Sequence, residues 1–156
     1  MEKKLQIALR LELVWLLFTL LVFLIVAAPV YLKIPGFPFY PVNFVFVAVF
    51  ITATRYIFLL SSTFLARKQV LKIFFFFVSI PLVFYLVGEI HGFQTFLDEE
   101  GLQSIMPNLS LQEGLQMAGY VRAEFLFFGV GSVIAVVAFA FRMLISVWRL
   151  HNRGTV

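Results

Sequence analysis

The sequence contains no cysteine and few charged residues. The absence of cysteine excludes disulfide bonds, thiolate nucleophiles and cysteine-ligated metals. Only 13% of the 156 residues are charged, against about 25% in soluble domains. Hydrophobic residues make up 62% of the chain and occur in long blocks, so there is too little polar surface for a protein in water. Lipid is therefore the implied solvent, and the length leaves no room for a separate soluble catalytic domain.

Four runs with little charge are long enough to cross a bilayer. Each helical residue adds about 1.5 Å, and the hydrocarbon core is roughly 30 Å thick, so about 20 apolar residues are needed. The sequence predicts transmembrane helices over residues 13–32, 42–65, 73–90 and 121–147. We expect the first run to be a retained helix, because it is longer than the core of a signal peptide.

The connections between these runs predict an antiparallel arrangement. The segment 35–41 has three prolines and a glycine, which favours a tight turn after the first helix. The basic segment 66–72 is short enough to make the second and third helices antiparallel neighbours. Residues 91–120 are more polar, and Ser110 with Glu113 fits a helix capping box. The sequence therefore predicts one all-α membrane domain over residues 1–156: an antiparallel four-helix bundle whose extracytoplasmic loop between helices 3 and 4 is partly helical.

The distribution of Lys and Arg predicts the orientation of the bundle. Residues on one side of the predicted topology are Lys3, Lys4, Arg10, Arg67, Lys68, Lys72, Arg142, Arg149 and Arg153. Only Lys33 and Arg122 fall on the other side, together with most of the acids. By the positive-inside rule we expect both termini in the cytoplasm, and we expect the membrane to be a bacterial inner membrane. The same rule explains the net charge of +4, so nothing indicates nucleic-acid binding.

Arg55 is the most informative polar residue of the predicted spans. A second helix that ends at residue 65 would place Arg55 roughly 15 Å from its cytoplasmic end, near mid-membrane. An arginine at that depth costs about 2.5–3.5 kcal/mol and normally faces a partner or water. Candidate partners are Glu89, the hydroxyls of Thr52 or Ser79, and an acid on another chain. A structural pair is favoured over contact with an ion, a substrate or a lipid headgroup.

Other polar residues could form two smaller groups. Glu89, His91 and Glu124 could cluster near the outer interface, where a proton relay is chemically possible. The histidine spacing does not match a metal site, so we expect no metal. Glu12 and Arg142 lie at similar predicted depth and are expected to pair, which would fix neighbouring helices.

The fourth run has a pattern that favours close helix packing. Gly131 and Ala135 form a small-xxx-small pair, which lets two helix backbones approach each other. The sequence has no nucleophile elbow, no phosphate-binding loop and no zinc-protease motif. We therefore expect no catalytic residue and no cofactor.

These observations leave three hypotheses for function. The favoured one is a non-enzymatic accessory or structural subunit of a larger membrane complex, whose partners are the lipid bilayer and other membrane subunits or further copies of the chain. The second is a small oligomeric transporter or ion-conducting protein with Arg55 and Glu89 in the pathway. The third is a membrane-embedded enzyme acting on lipid through Glu89, His91 and Glu124.

Overall fold

The computed structural model describes residues 2–106 and 108–152 and shows four long helices. They are α1 (Glu2–Lys33), α2 (Tyr40–Leu59), α3 (Gln69–Glu99) and α4 (Leu111–Asn152). Short 3-10 helices occupy Leu60–Ser62, Phe64–Arg67 and Leu102–Ile105. Each long helix is apolar and long enough to cross a membrane. The predicted all-α, antiparallel four-helix fold is confirmed.

The helices run alternately up and down, so the two ends of the bundle differ. One end, which we call the terminal end, carries the start of α1, the end of α4 and the connection 60–68. The other, which we call the loop end, carries the turn 34–39 and the connection 100–110. This arrangement places most basic residues at the terminal end and most acidic residues at the loop end.

Helix α4 is the centre of the bundle. Both α2 and α3 pack mainly against α4, while α1 lies at the edge and packs mainly against α2. The short connection 60–68 makes α2 and α3 antiparallel, as expected. The two helices make little direct contact with each other, because α4 is the main packing partner of each. A connection of this length fixes where two helix ends lie, whereas the small residues of α4 determine which helix faces can approach most closely.

Several helix bounds differ from those of the predicted spans: α1 and α4 begin earlier, at Glu2 and Leu111, and α2 and α3 end at other residues. Helix α2 stops at Leu59 and not at residue 65, and the Thr63 hydroxyl donates to the Leu60 carbonyl at 2.7 Å. Hydroxyl groups that bond to nearby carbonyls compete with α-helical bonding, which accounts for the 3-10 turns. Helix α3 continues past residue 90 to Glu99, where Gly101 follows with a φ of 71°. Glycine adopts this left-handed conformation without a Cβ clash, and such a residue commonly ends a helix.

An aromatic cluster closes the loop end. The rings of Phe93 and Phe125 have centroids 4.0 Å apart, and Phe46 lies 4.9 Å from Phe125. Phe37 and Phe39, from the turn between α1 and α2, pack on the same rings. Helices α2, α3 and α4 therefore share one buried core with the first turn.

The start of α4 has the expected capping box. The Ser110 hydroxyl donates to Glu113 Oε2 at 2.9 Å and accepts from the Glu113 backbone N–H at 3.4 Å. The loop is partly helical, with a 3-10 helix at Leu102–Ile105.

Candidate functional site

The charge pair between α1 and α2 is the first polar site within the bundle. Arg55 is 6% exposed, and its Nη1 lies 2.6 Å from Glu12 Oε2. The Tyr56 hydroxyl donates to the two Glu12 carboxylate oxygens at 3.3 and 3.4 Å. The Arg55 guanidinium also lies 5.3 Å from the Trp15 ring centroid, within the range of a cation–π contact. An arginine, a carboxylate and two aromatic rings thus join α1 to α2.

The depth and the partner of Arg55 differ from the sequence-based expectation. Four residues separate Arg55 from the last residue of α2, a rise of roughly 6 Å, so it lies nearer the terminal end than mid-membrane. Its partner is Glu12, which directly precedes the apolar run 13–32. The hydroxyl of Ser79, another expected partner, donates instead to the Phe75 carbonyl at 2.7 Å.

Arg142 does not pair with Glu12, so that expectation was wrong. Its Nε donates to the Ile57 carbonyl at 3.2 Å and joins α4 to the last turn of α2. Glu12 is bound to Arg55 because α1 lies against α2. The sequence could not show which helices were neighbours, so it could not identify the partner of Glu12.

A groove between α1 and α2 lies beside the charge pair. Its volume is about 560 Å³, and its polar lining residues include Glu12, Thr19, Thr52 and Arg55. Two guanidinium nitrogens of Arg55, Nε and Nη2, are buried without a hydrogen-bond partner in the described part of the chain. Most other lining residues are apolar, so the groove can accommodate hydrocarbon next to a cationic group.

The second polar site joins α2 to α4 near the loop end. Asn43 is 1% exposed and Glu124 is 8% exposed, and Asn43 Nδ2 donates to Glu124 Oε2 at 3.0 Å. Asn43 Oδ1 and Glu124 Oε1 have no hydrogen-bond partner among the described residues. A buried polar pair of this kind is costly in an apolar environment unless both members remain in contact.

Glu89 and His91 do not form a common site with Asn43 and Glu124. Glu89 is half-buried and lies near the Tyr85 hydroxyl, one turn earlier on α3. His91 is exposed. Across residues 2–106 and 108–152, no three His, Cys, Asp or Glu side chains are grouped so that they could hold a metal ion.

Glu89 and Arg55 also lie at different heights. Twenty residues separate Glu89 from the start of α3 at Gln69, which corresponds to a rise of roughly 30 Å from the terminal end. Arg55 is only about 6 Å from the same end of α2. The two side chains therefore occupy opposite halves of the bundle.

The small residues of α4 lie at helix contacts. Ala135 is buried, and a Cβ added to Gly131 would lie 3.0 Å from the Phe50 ring of α2. Gly129 lies close to both α2 and α3. A Cβ added there would lie 3.0 Å from Phe46 Cε2 of α2 and 3.0 Å from Ile90 Cγ1 of α3. Sequence reasoning emphasised Gly131 with Ala135, whereas Gly129 is the glycine that α2 and α3 both contact.

Two further side chains of the polar sites were not singled out from the sequence. Asn43 had a usable signal, since it is a strongly polar residue followed by eight apolar residues in the second predicted span. Tyr56 had none, because a tyrosine near a helix end is common at membrane interfaces.

Comparisons with protein-family models, with curated proteins and with solved structures found no match to this chain. The two polar sites and the packing of the helices are therefore the features that bear on its function. Both sites join helices within the chain: Glu12 with Arg55 joins α1 to α2, and Asn43 with Glu124 joins α2 to α4.

Proposed function

We propose that this four-span membrane protein is a non-enzymatic structural subunit of a larger membrane complex. The observation that supports this proposal is that two buried charged or ionisable side chains are each bound by a side chain of another helix in the same chain. Arg55 is bound by Glu12, and Glu124 is bound by Asn43. Buried polar pairs between membrane helices stabilise the packing of those helices, and these two pairs fix α1, α2 and α4 relative to one another.

Helix α1 is the surface on which we place the partner. It has the smallest packing surface within the bundle, since it lies at the edge against α2. Its exposed large side chains include Leu13, Leu16, Leu17, Leu21, Leu24 and Ile25. Van der Waals packing with another membrane helix can cover such a face, and the Glu12–Arg55 pair would keep it in a fixed orientation.

The test combines purification with position-specific crosslinking in the native membrane. A photoreactive amino acid at Leu21 lies on the exposed face of α1, and the same amino acid at Phe84 lies on an exposed part of α3. We expect the Leu21 probe to crosslink to a protein that also copurifies at a fixed ratio in mild detergent. The Phe84 probe is the matched control and is expected to give little of that product.

The proposal would be contradicted if the chain had no partner subunits and conducted ions by itself. If the purified chain formed only monomers or homo-oligomers, and if ion flux in liposomes were lost in Arg55→Ala but kept in Arg122→Ala, the transporter hypothesis would replace it. A pathway through Arg55 and Glu89 has little support, because these residues differ in height by roughly 24 Å along the bundle.

The hypothesis of a lipid-acting enzyme also has little support. Of its three expected residues, Glu124 is bound to Asn43 in the core and His91 is exposed on α3. Turnover of a lipid substrate that disappeared in Glu89→Gln would argue for an enzyme and against the subunit proposal.

A further inference from the structure

A basic pocket lies at the terminal end of the bundle. It is enclosed by the 3-10 segment after α2, the first turn of α3 and the last turns of α4, and its volume is about 400 Å³. Three cationic side chains line it: Lys72, Arg142 and Arg149. Two hydroxyl groups, those of Ser61 and Ser146, complete its polar lining.

Among the residues that the structure describes, the cations of this pocket have no carboxylate beside them. Lys72 is only 3% exposed, and its Nζ donates to Ser146 Oγ at 3.0 Å. Arg142 is held through its Nε by the Ile57 carbonyl at 3.2 Å. No Asp or Glu of the described chain lines the pocket, and the Glu12 carboxylate, on α1, is bound to Arg55.

Three like charges around one cavity repel each other, and one of them is almost fully buried. An anion in the pocket would offset this repulsion and would accept hydrogen bonds from donors that already face the space. Guanidinium groups, an ammonium group and hydroxyls together match the several oxygens of a phosphate group. We propose that this pocket binds a phosphate-bearing anion, supplied by the headgroup of an acidic phospholipid.

The surroundings of the pocket favour a lipid over a soluble phosphate ester. On α4, the exposed side chains of Phe141, Ile145 and Trp148 alternate along the chain with the pocket residues. These apolar groups can lie against acyl chains while the headgroup occupies the basic pocket. Basic pockets between membrane helices at this level are a recurrent form of headgroup recognition.

Lipid binding to the full chain in detergent can be counted by native mass spectrometry and followed by thermal stabilisation. The probes are dioleoylphosphatidylglycerol, dioleoylphosphatidylcholine, glycerol phosphate and inorganic phosphate. We expect phosphatidylglycerol to bind in preference to phosphatidylcholine. Its affinity should fall about fivefold in Arg149→Gln and by a similar factor in Arg142→Gln, since each basic residue near a lipid surface contributes about 1 kcal/mol.

Arg122→Gln is the matched control, because it removes the same charge from an exposed position at the loop end. It should leave phosphatidylglycerol binding unchanged. Arg149 is exposed, so Arg149→Gln is expected to fold even if a change at buried Lys72 does not.

Two results would overturn the proposal. Equal binding of the two lipids, or an equal loss in Arg122→Gln and Arg149→Gln, would show that the pocket has no role in anion binding. Binding of glycerol phosphate or inorganic phosphate that depends on Arg149, without binding of phosphatidylglycerol, would overturn the lipid source and identify a soluble phosphate site.

Discussion

Arg55 and Glu12 form a charge pair whose members are not equally buried. The Arg55 side chain is almost fully buried, while Glu12 is partly exposed beside the groove between α1 and α2. Removal of one partner of a buried pair leaves the other charge without compensation, which costs far more than the pair itself contributes. Glu12 therefore determines whether Arg55 can remain inside the bundle.

We expect Glu12→Gln to lower the free energy of unfolding by roughly 3 kcal/mol, because it leaves the Arg55 guanidinium uncompensated. The double variant Glu12→Gln, Arg55→Gln should recover part of that loss. The measurement is an unfolding titration in mixed micelles of mild detergent and dodecyl sulfate.

A matched control for this experiment is Glu113→Gln. Glu113 lies 3.6 Å from Lys33, and both side chains are about half exposed, so the loss should be below about 1 kcal/mol. Equal losses in Glu12→Gln and Glu113→Gln would show that the Glu12–Arg55 pair does not hold α1 in place.

A different result is expected for the Asn43–Glu124 contact. Both groups are buried, and each keeps one oxygen without a hydrogen-bond partner among the described residues. Asn43→Leu removes the amide donor and leaves the whole Glu124 carboxyl unsatisfied, at a cost of about 1–3 kcal/mol. The double variant Asn43→Leu, Glu124→Met removes both polar groups and should regain most of the stability. If the double variant were less stable than Asn43→Leu in the same titration, the polar pair itself would be the stabilising feature.

At this scale the sequence predicts which residues are unusual better than it predicts their partners. Arg55 is recognisable because arginine is rare in an apolar run. Its partner depends on which helices are neighbours and on how each helix is rotated about its axis, and a single sequence contains neither. This is why Glu12 was assigned to Arg142, and why Asn43 was not assigned to Glu124.

At the scale of the helices, Gly129 of α4 allows close contact with both α2 and α3. Gly129→Ala would place a Cβ 3.0 Å from the Phe46 ring of α2 and 3.0 Å from Ile90 of α3. Such overpacking costs about 1–3 kcal/mol where the neighbours are tightly packed, and here the Phe46 ring and the Ile90 side chain would both have to shift by a few tenths of an ångström. Thermal unfolding of the purified variant in detergent measures the loss.

Gly119→Ala is the control for Gly129→Ala, since both glycines belong to α4. An added Cβ at Gly119 would have no neighbour within 4 Å among the atoms that the structure describes. Alanine is the better helix former by about 0.5–1 kcal/mol, so this variant should be as stable as the wild type or more so. A Gly129→Ala variant that unfolded at the wild-type temperature would contradict the packing assigned to α4.

The existence of the four helices followed from the sequence, whereas some of their ends did not. An apolar run of the right length can be accommodated in a bilayer only when its backbone groups bond within the run, so the fold class is strongly constrained. The end of α2 at Leu59 depends instead on local hydroxyl bonding, and the end of α3 depends on a left-handed glycine eleven residues beyond the apolar run. Hydropathy alone therefore does not determine the residue at which such a helix ends, because side-chain hydrogen bonds and glycine conformation also contribute.

At the scale of the whole molecule, the antiparallel order of the helices separates the charges of the chain. The terminal end carries most of the basic residues, including the pocket of Lys72, Arg142 and Arg149. The loop end carries most of the acidic residues. This separation underlies both the orientation that we expect and the anionic lipid that we assign to the basic pocket, since the cytoplasmic surface of a membrane attracts basic residues.

The side of the membrane on which each end of the bundle lies can be tested directly. The chain has no cysteine that would interfere with thiol labelling. Glutamines at positions 6 and 69 are exposed at the terminal end, and Gln103 is exposed at the loop end. In sealed cells, a membrane-impermeant maleimide should label Gln103→Cys and should label Gln6→Cys and Gln69→Cys only after the membrane is opened. The same substitution at all three positions keeps side-chain chemistry constant, so any difference reports the side of the membrane. Labelling of Gln69→Cys and Gln103→Cys from the same side would contradict the four crossings, while exchange of the two patterns would keep the fold and place the basic pocket on the outer surface.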